Sequence, residues 1–275
     1  MAFELTEENY YSLESDQHYC SNSQLKMFQD CEHRALEYLK GNYEIPQSEA
    51  MLIGSYVDCA LTEPENFEQF KIDHPEIYSS RGATKGLLKS SFARAEKMVE
   101  KVKGDKVAMK YLDGEHQTIF TGNLFGVDFK AKLDVYIPDK AIVDLKTVSS
   151  LHQSYWDKEL QRRVSFMNYF KYTQQLAIYQ TLVFQNTGKL LPCYILAVTK
   201  EEPVDIELIY VDNETLHDIV HGSEFSKGLA DDITQIRLLK SGEVEPIRCG
   251  CCDLCVSEKH IERPIHFTEL EGLLN

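Results

Sequence analysis

Two alternating segments joined by a short turn constrain the fold more than any other feature of the chain. Apolar residues occupy every second position of VDFKAKLDVYI, from Val127 to Ile137, and polar or charged residues stand between them. This period of two predicts a half-buried β-strand with its apolar side chains on one face. After a turn at Pro138-Asp139, the segment AIVDLKTV alternates in the same way. The two segments therefore predict an antiparallel hairpin.

The part of the chain before this hairpin predicts helices. Ser21 and Gln24 form a capping box ahead of LKMFQDCEHRALEYLK. One helix is therefore expected over about residues 21–41, with Cys31 inside it. A second helix is expected over GLLKSSFARAEKMVEKVKG, with Gly104 as its stop.

The part after the hairpin predicts helix, strand and helix. FMNYFKYTQQLAIYQTLVFQ should form one long helix that ends near Gly188. LPCYILAVTK predicts a further strand, and residues 210–242 are expected to be mostly helical. This order of elements predicts the α/β class with a mixed sheet. No repeat, low-complexity tract or Pro/Gly-rich linker divides the sequence, so we interpret residues 1–275 as a single domain.

Composition and charge restrict the classes of function. Hydrophobic residues make up 43% of the 275 residues, which suffices for a sizeable core. The segment MAFELTEENYYSLESDQ has neither the basic nor the apolar region of a signal peptide, and nowhere do about 18 apolar residues follow one another. We therefore expect a soluble cytoplasmic protein. The net charge of −15 argues against a passive coat of nucleic acid, because such binding needs many Lys and Arg contacts with phosphate.

The charged face of the predicted hairpin carries groups suited to metal-dependent chemistry. Asp134 and Asp144 stand on adjacent strands, and Lys146 shares a face with Asp144 because it follows two residues later. Two carboxylates can hold Mg²⁺ together with water and phosphate oxygens. The ion would activate water, and Lys146 would orient that water or stabilise the developing charge. A D-x-K sequence alone is more typical of a surface hairpin with weak cross-strand ion pairs.

The order of three motifs points to a family. G-x-x-x-K-x-K-x-D spans Gly126–Asp134, DLKT spans Asp144–Thr147 and Q-x-x-x-Y spans Gln175–Tyr179. Together they resemble the motifs of the PD-(D/E)xK nuclease superfamily, and within it the RecB-like nuclease domains and the RecE-like, exonuclease VIII-type exonucleases of phages and prophages. The resemblance covers about residues 21–255. It implies a restriction-endonuclease-like core, in which a mixed central β-sheet is flanked by helices.

The resemblance also implies a function. Such a protein is a metal-dependent DNA exonuclease that hydrolyses phosphodiester bonds from DNA ends in a phage or prophage recombination module. Mg²⁺ or Mn²⁺ would be held by Asp134, Asp144 and the backbone carbonyl of Leu145. Lys146 would act on the attacking water. DNA is the implied partner, a single-strand annealing protein is a further one, and rings of related exonucleases suggest a homo-oligomer by analogy. No association with a membrane is expected.

Two further parts of the site take their roles from the resemblance. In IGSYVDCALTEPENF, Ile53–Phe67, Asp58 stands where the family usually has a metal-binding histidine. A carboxylate still suits Mg²⁺ or Mn²⁺, but a helix N-cap or a solvated acid is an equally good interpretation of Asp58. Gln175 and Tyr179 would position substrate near the catalytic lysine. Their helical spacing with Tyr172 is also typical of half-buried packing residues.

Four of the eight cysteines fall in RCGCCDLC, between Arg248 and Cys255. Because disulfides are rare in a reducing cytosol, such a group predicts a metal site more than a disulfide or unligated thiols. Cys59 and Cys193 lie in apolar stretches, and we interpret them as small buried hydrophobic residues.

The resemblance suggests which cysteines bind. Related RecB-type nucleases hold an iron–sulfur cluster through one cysteine of an N-terminal helix and three cysteines after the nuclease core. Cys31 resembles the first, and Cys249, Cys252 and Cys255 resemble the others. Thiolates suit either a [4Fe–4S] cluster, which the resemblance favours, or tetrahedral Zn²⁺, and the residues do not decide between the two.

Two alternatives for the ligands stay open. Cys251 could replace Cys252, and Cys20 could replace Cys31 as the distant ligand. In each case the metal would join the N-terminal helix (about 21–41) to the C-terminal cysteine segment (249–255). It would then act as a staple and not as a catalyst.

Two other functions compete with the nuclease. A non-catalytic, metal-stapled protein on the nuclease scaffold could bind DNA or a recombination partner without cutting, and the missing family histidine at Asp58 favours this interpretation. The retained D-x-K and Q-x-x-x-Y motifs argue against it. A redox or iron–sulfur carrier is the weaker rival.

Overall fold

A mixed five-stranded sheet lies at the centre of the computed structural model, which describes residues 3–157, 160–224, 227–261 and 263–269. The sheet contains β1 (Glu115–Leu124), β2 (Val127–Ile137), β3 (Ala141–Val148), β6 (Cys193–Thr199) and β7 (Ile206–Val211). A separate hairpin consists of β4 (Ser154–Asp157) and β5 (Arg162–Ser165). The helices are α1 (Leu13–His18), α2 (Asn22–Asp30), α3 (Glu32–Leu39), α4 (Glu49–Thr62), α5 (Phe67–Asp73), α6 (Ser90–Lys103), α7 (Lys106–Tyr111), α8 (Phe166–Tyr169), α9 (Tyr172–Thr187), α10 (Asn213–His221), α11 (Ala230–Ser241) and α12 (Asp253–Ser257). Short 3₁₀ turns span Pro75–Ile77 and Gly82–Thr84.

The sheet has the strand order β1-β2-β3-β6-β7. β1, β2 and β3 are antiparallel neighbours, β3 and β6 are parallel, and β7 is antiparallel to β6. α9 lies in the crossover between β3 and β6, as a parallel connection requires. The predicted α/β class with a mixed sheet is confirmed.

Helices cover both faces of the sheet and form two cores. One core contains buried residues of α2, α3, α9, α10 and α11, and the other contains buried residues of α4, α6 and α7. Both cores include side chains of β2 and β3. Within the described ranges, no helix combines the length and the apolar character needed to cross a membrane.

The β2–β3 hairpin has its predicted bounds, but the apolar side chains of β2 divide between the two cores. Phe129, Ala131 and Leu133 pack in the core that contains α9. Val135 packs in the core that contains α4. The prediction of a single apolar face is therefore wrong, because helices cover both faces of the sheet and β2 supplies both cores.

β2 and β3 separate at the two predicted carboxylates. Their pairing joins residues 135–137 to residues 141–143, and in the same register Asp134 would stand opposite Asp144. The pairing ends there, and the Leu145 amide donates instead to Asp134 Oδ2 at 2.8 Å. The opening of the hairpin therefore brings two acidic side chains together at one end of the paired region.

Two of the predicted helices are each divided in the structure. Cys31 has an extended backbone (φ −164°, ψ 107°) and separates α2 from α3, so the prediction that it lies inside one helix is wrong. Lys171 has a left-handed backbone (φ 55°, ψ 39°) and separates α8 from α9. Distant partners accompany both breaks: Cys31 meets the C-terminal cysteines, and Lys171 Nζ donates to Gln29 Oε1 at 2.8 Å. The predicted helix ends at Gly104 and Gly188 are confirmed.

Several strands were not predicted. β1 has polar side chains at many half-buried positions, so its alternation is weak. β7 is an edge strand that ends at Val211, inside the segment expected to be mostly helical. The rest of that segment follows the prediction, because α10 and α11 occupy residues 213–221 and 230–241.

Candidate active site and cysteine site

Asp144 is the most deeply buried charged residue among those described, with 0% of its surface exposed. Gln175 Nε2 donates to Asp144 Oδ1 at 2.9 Å. Lys146 Nζ lies 2.6 Å from Asp144 Oδ2 and forms a buried ion pair with it. The charge of Asp134 acts on the same carboxyl. Because several acids crowd around a single lysine charge, the site is a position where a bound cation would be favourable.

Asp58 and Asp134 lie beside this pair. Asp58 is in the interior of α4, so the alternative that it caps a helix N-terminus is wrong. Gln117 Nε2 donates to Asp58 Oδ2 at 3.1 Å, and Thr62 Oγ1 donates to the Asp58 carbonyl at 2.9 Å. We call Asp58, Asp134, Asp144 and Lys146 the carboxylate site.

The pKa values show that these groups influence one another. Burial, and then the charge of Asp134, raises the pKa of Asp58 to about 8. Burial raises the pKa of Asp144 to about 7, although the Lys146 ammonium opposes this change. For Lys146, burial lowers the pKa, but the charges of Asp144 and Asp134 outweigh it and raise the pKa above its usual value. Near neutral pH, Lys146 is therefore charged, whereas Asp58 and Asp144 are each partly protonated.

The residues present fit a hard divalent cation. Their donors are carboxylate oxygens, which Mg²⁺ and Mn²⁺ prefer. Positive charge between crowded carboxyls would favour their ionised forms. The excess of three acids over the single Lys146 ammonium points to the same fit.

Gln175 connects the carboxylate site to α9. Its Nε2 atom donates both to Asp144 and to Tyr179 Oη, the latter at 2.7 Å. Tyr179 is buried, and its hydroxyl also lies 3.4 Å from the Lys132 carbonyl. Lys146 Nζ lies 5.4 Å from the centre of the Tyr172 ring. The predicted residues on α9 therefore surround the buried carboxylate and its lysine.

A cleft of about 410 Å³ reaches Asp58 and Asp134 of the carboxylate site. Its walls include Tyr11, Asp58, Gln117, Lys132, Asp134 and Gln175. Lys132 Nζ lies 5.5 Å from the centre of the Tyr11 ring. Sequence reasoning gave no role to Gln117 or Tyr11, which carry no motif. For Lys132 a signal was present, because it belongs to the glycine–lysine–aspartate motif of β2.

The structure brings together four cysteine sulfurs, one from near the start of the chain and three from near its end. The Sγ atoms of Cys31, Cys249, Cys252 and Cys255 all lie within 4.8 Å of one another. We call these four residues the cysteine site. Burial opposes ionisation of Cys249, but hydrogen bonds from the amides of Cys251 and Cys252 outweigh it and lower the pKa to about 6.

The alternative ligands are not members of this group. Cys251 is exposed, although its thiol interacts with that of Cys249. Cys20 is buried and pairs through a β-bridge with Phe129 of β2. Cys59 and Cys193 are buried, as predicted. The structure therefore supports the first of the ligand sets considered from the sequence.

A mixed sheet between helices, with a D-x-K pair where its central hairpin opens, defines a PD-(D/E)xK-type domain. Residues 21–258 match the sequence model of a family described as "PDDEXK-like domain of unknown function (DUF3799)". The chain belongs to this family, and the superfamily expected from the motifs is confirmed.

A solved structure agrees with this assignment. The chain is similar to a protein from Eubacterium rectale, described as a "putative exonuclease", whose crystal structure has a TM-score of 0.89 and 38% sequence identity over 98% of each chain. The crystal structure of SSO0001 has a TM-score of 0.28 and 13% identity over 78% of this chain and 85% of that one, which is too low to indicate a shared fold. None of the curated proteins matches at a significant level. The family and the first neighbour support a nuclease.

Proposed function

We propose that the chain is a Mg²⁺- or Mn²⁺-dependent deoxyribonuclease that hydrolyses phosphodiester bonds from DNA ends. The observation that carries this proposal is the grouping of Asp58, Asp134 and Asp144 around the single ammonium of Lys146, which pairs with Asp144 Oδ2 at 2.6 Å. The description of the Eubacterium rectale protein supports action as an exonuclease.

The ion would be held by Asp58, Asp134 and Asp144. The backbone carbonyl of Leu145 is a further ligand in this proposal. A divalent ion supplies charge that polarises a phosphate and lowers the pKa of water. Because the pKa of Lys146 is raised, its ammonium stays protonated near neutral pH. Lys146 therefore donates to the attacking water or stabilises charge on the phosphate, and does not remove a proton.

Gln175 acts as a positioning residue in this proposal. Its bond holds Asp144 Oδ1, while Asp144 Oδ2 faces the Lys146 ammonium at 2.6 Å. Tyr179 orients Gln175 in turn through a 2.7 Å hydrogen bond. Tyr179 also lines the cleft, although only 8% of its surface is exposed, so its main influence on substrate would pass through Gln175.

The biological setting is the broader part of the proposal. The resemblance to RecE-like exonucleases favours a phage or prophage recombination module, in which a single-strand annealing protein receives the product. A homo-oligomer, a cytoplasmic location and a single domain over residues 1–275 belong to the same proposal. The rival, a non-catalytic DNA- or partner-binding protein, is favoured by Asp58 at the position of the family histidine.

Digestion of matched linear and circular DNA tests the proposal. The linear duplex carries a label at one end, and the circular duplex has no ends. With Mg²⁺ or Mn²⁺, we expect release of label from the linear duplex and an intact circle. The ion should be omitted and not removed by a chelator, because a chelator would also attack metal at the cysteine site. Equal cutting of both substrates would contradict action from ends, and DNA binding without cutting would favour the rival.

A further inference from the structure

The separations among the four sulfurs of the cysteine site match a single metal ion. Cys31 Sγ lies 3.7 Å from Cys255 Sγ and 3.8 Å from Cys252 Sγ. Cys249 Sγ lies 4.0 Å from Cys255 Sγ. A tetrahedral ion with metal–sulfur bonds of about 2.3 Å places its ligand sulfurs about 3.8 Å apart. Three of the six sulfur–sulfur separations are close to this value and the others are at most 4.8 Å, so the four thiols can surround one ion.

The same distances do not fit the cluster that the resemblance implies. A [4Fe–4S] cluster places a separate iron atom in front of each thiolate, with sulfides between the irons. Its ligand sulfurs must therefore stand much farther apart than those that share one ion. Sulfurs within 4.8 Å of one another leave no space for four irons and four sulfides. The sulfurs are also too far apart for a disulfide, whose bond length is about 2.05 Å.

Hydrogen bonds and burial complete a closed site. The Cys252 amide donates to Cys249 Sγ at 3.2 Å, and the Cys255 amide donates to Cys252 Sγ at 3.4 Å. Such bonds stabilise negative charge on thiolate ligands. Cys31 and Cys255 are buried, while Cys249 and Cys252 are half-buried. Four protein ligands fill a tetrahedral shell, so none of its positions stays open for substrate.

Contacts around the cysteine site join the same two parts of the chain. His33 Nε2 lies 2.9 Å from Glu258 Oε2, and the Ile247 amide donates to Glu32 Oε2 at 2.7 Å. The Tyr43 hydroxyl donates to Asp253 Oδ2 at 2.8 Å. These bonds hold the C-terminal segment against α3 and the residues that follow it.

We propose that Cys31, Cys249, Cys252 and Cys255 hold one zinc ion in a closed tetrahedral site that fastens α2 and α3 to the C-terminal segment. Zinc is favoured over a single ferrous ion because divalent zinc binds a given set of ligands more tightly. The proposal concerns structure and does not depend on the nuclease function.

Metal analysis of the full chain tests this proposal. The protein is purified without oxygen and without chelators, so that neither a cluster nor zinc is lost. We expect one zinc per chain, no iron or acid-labile sulfide, and no visible colour. Replacement of zinc by Co²⁺ should produce the visible absorption of a tetrahedral thiolate site. Iron with acid-labile sulfide, a single bound iron, or the absence of bound metal would each overturn the proposal.

A matched pair of variants identifies the ligands. Cys255→Ser should lose at least about 90% of the bound zinc, because a hydroxyl replaces a thiolate ligand. Cys251→Ser changes the exposed neighbour and should keep one zinc per chain. If Cys255→Ser does not fold, Cys249→Ser provides the same measurement at a half-buried ligand. Equal zinc loss from Cys251→Ser, or full zinc retention by the ligand variant, would contradict the assignment.

Discussion

The carboxylate site and the cysteine site are built in opposite ways. The carboxylate site offers hard oxygen donors from β2, β3 and α4, and two of its acids, Asp58 and Asp134, line a cleft. The cysteine site joins residues as far apart in sequence as Cys31 and Cys255, and its four donors enclose the ion position. An open site with unbalanced charge leaves room for substrate and lowers stability. A closed site adds stability and excludes substrate.

Loss of the lysine should strongly lower the rate of DNA digestion and leave the cysteine site unchanged. Lys146→Met removes the charge that stabilises the attacked phosphate. We expect the rate of DNA digestion to fall about 10²- to 10³-fold. Zinc content should not change. The matched control is Lys140→Met, which removes an exposed lysine from the turn of the same hairpin. Equal rates for Lys146→Met and the parent protein would remove Lys146 from the mechanism.

Loss of a thiolate from the cysteine site should lower the stability of the fold and leave the rate of DNA digestion almost unchanged. Cys255→Ser removes a buried ligand, so we expect the melting temperature to fall by about 10 °C or more. Measured well below that melting temperature, DNA digestion should stay within about threefold of the parent rate. Cys251→Ser serves as the control and should melt with the parent protein. A variant that melts normally but has lost its activity would show that the cysteine site takes part in chemistry.

Replacement of Gln175 tests a residue that positions the proposed metal ligand Asp144 but does not itself bind the metal. Gln175→Leu should lower the digestion rate about 10- to 100-fold. It should also shift the pH–rate profile upward, because Asp144 loses the hydrogen bond that favours its ionised form. A merely structural role would lower the rate without moving the profile. Gln185→Leu, near the other end of α9, removes hydrogen bonds to Asn123 and is the control.

Replacement of Asp58 should give the smallest effect, a change in melting temperature measured without Mg²⁺. The pKa of Asp58 rises from 3.8 to about 8, so the folded protein keeps a proton that the unfolded chain releases. That stabilising contribution is complete below about pH 4 and is lost as the pH rises to about 8. Asp58→Asn should therefore match the parent near pH 4 and melt about 3 °C or more above it at pH 8.

Mg²⁺ should reverse the order of these two proteins, because only the parent keeps all its ligands. Asp73→Asn, an exposed acid in α5, should melt with the parent at both pH values. A difference that does not change with pH would contradict the raised pKa of Asp58.

Local patterns made the β2–β3 hairpin predictable. Alternation gave the bounds of β2 and β3, and a spacing of two placed Asp144 and Lys146 on one face. The breaks at Cys31 and Lys171 could not be predicted in this way, because helical periodicity continues across both and the breaks meet distant partners. The burial of Lys130 had no local signal either, since it depends on Asp16, 2.6 Å away, in the N-terminal segment.

The family resemblance supplied what periodicity could not. It selected Asp58 within an apolar helix and Cys31 as the distant thiolate, although neither stands out in the sequence by itself. Gln117 escaped both approaches, because it has no motif and gains its role only from the fold. The catalytic roles of the carboxylate site stay predictions.

The most direct test of the central claim compares two acids on the same hairpin. Asp144→Asn and the exposed Asp128→Asn are assayed on linear duplex DNA with saturating Mg²⁺, at equal zinc content. If the carboxylate site holds the ion for cleavage, Asp144→Asn should lose about a thousandfold or more in rate, while Asp128→Asn keeps the parent rate. Digestion by Asp144→Asn within about threefold of the parent rate would contradict the account.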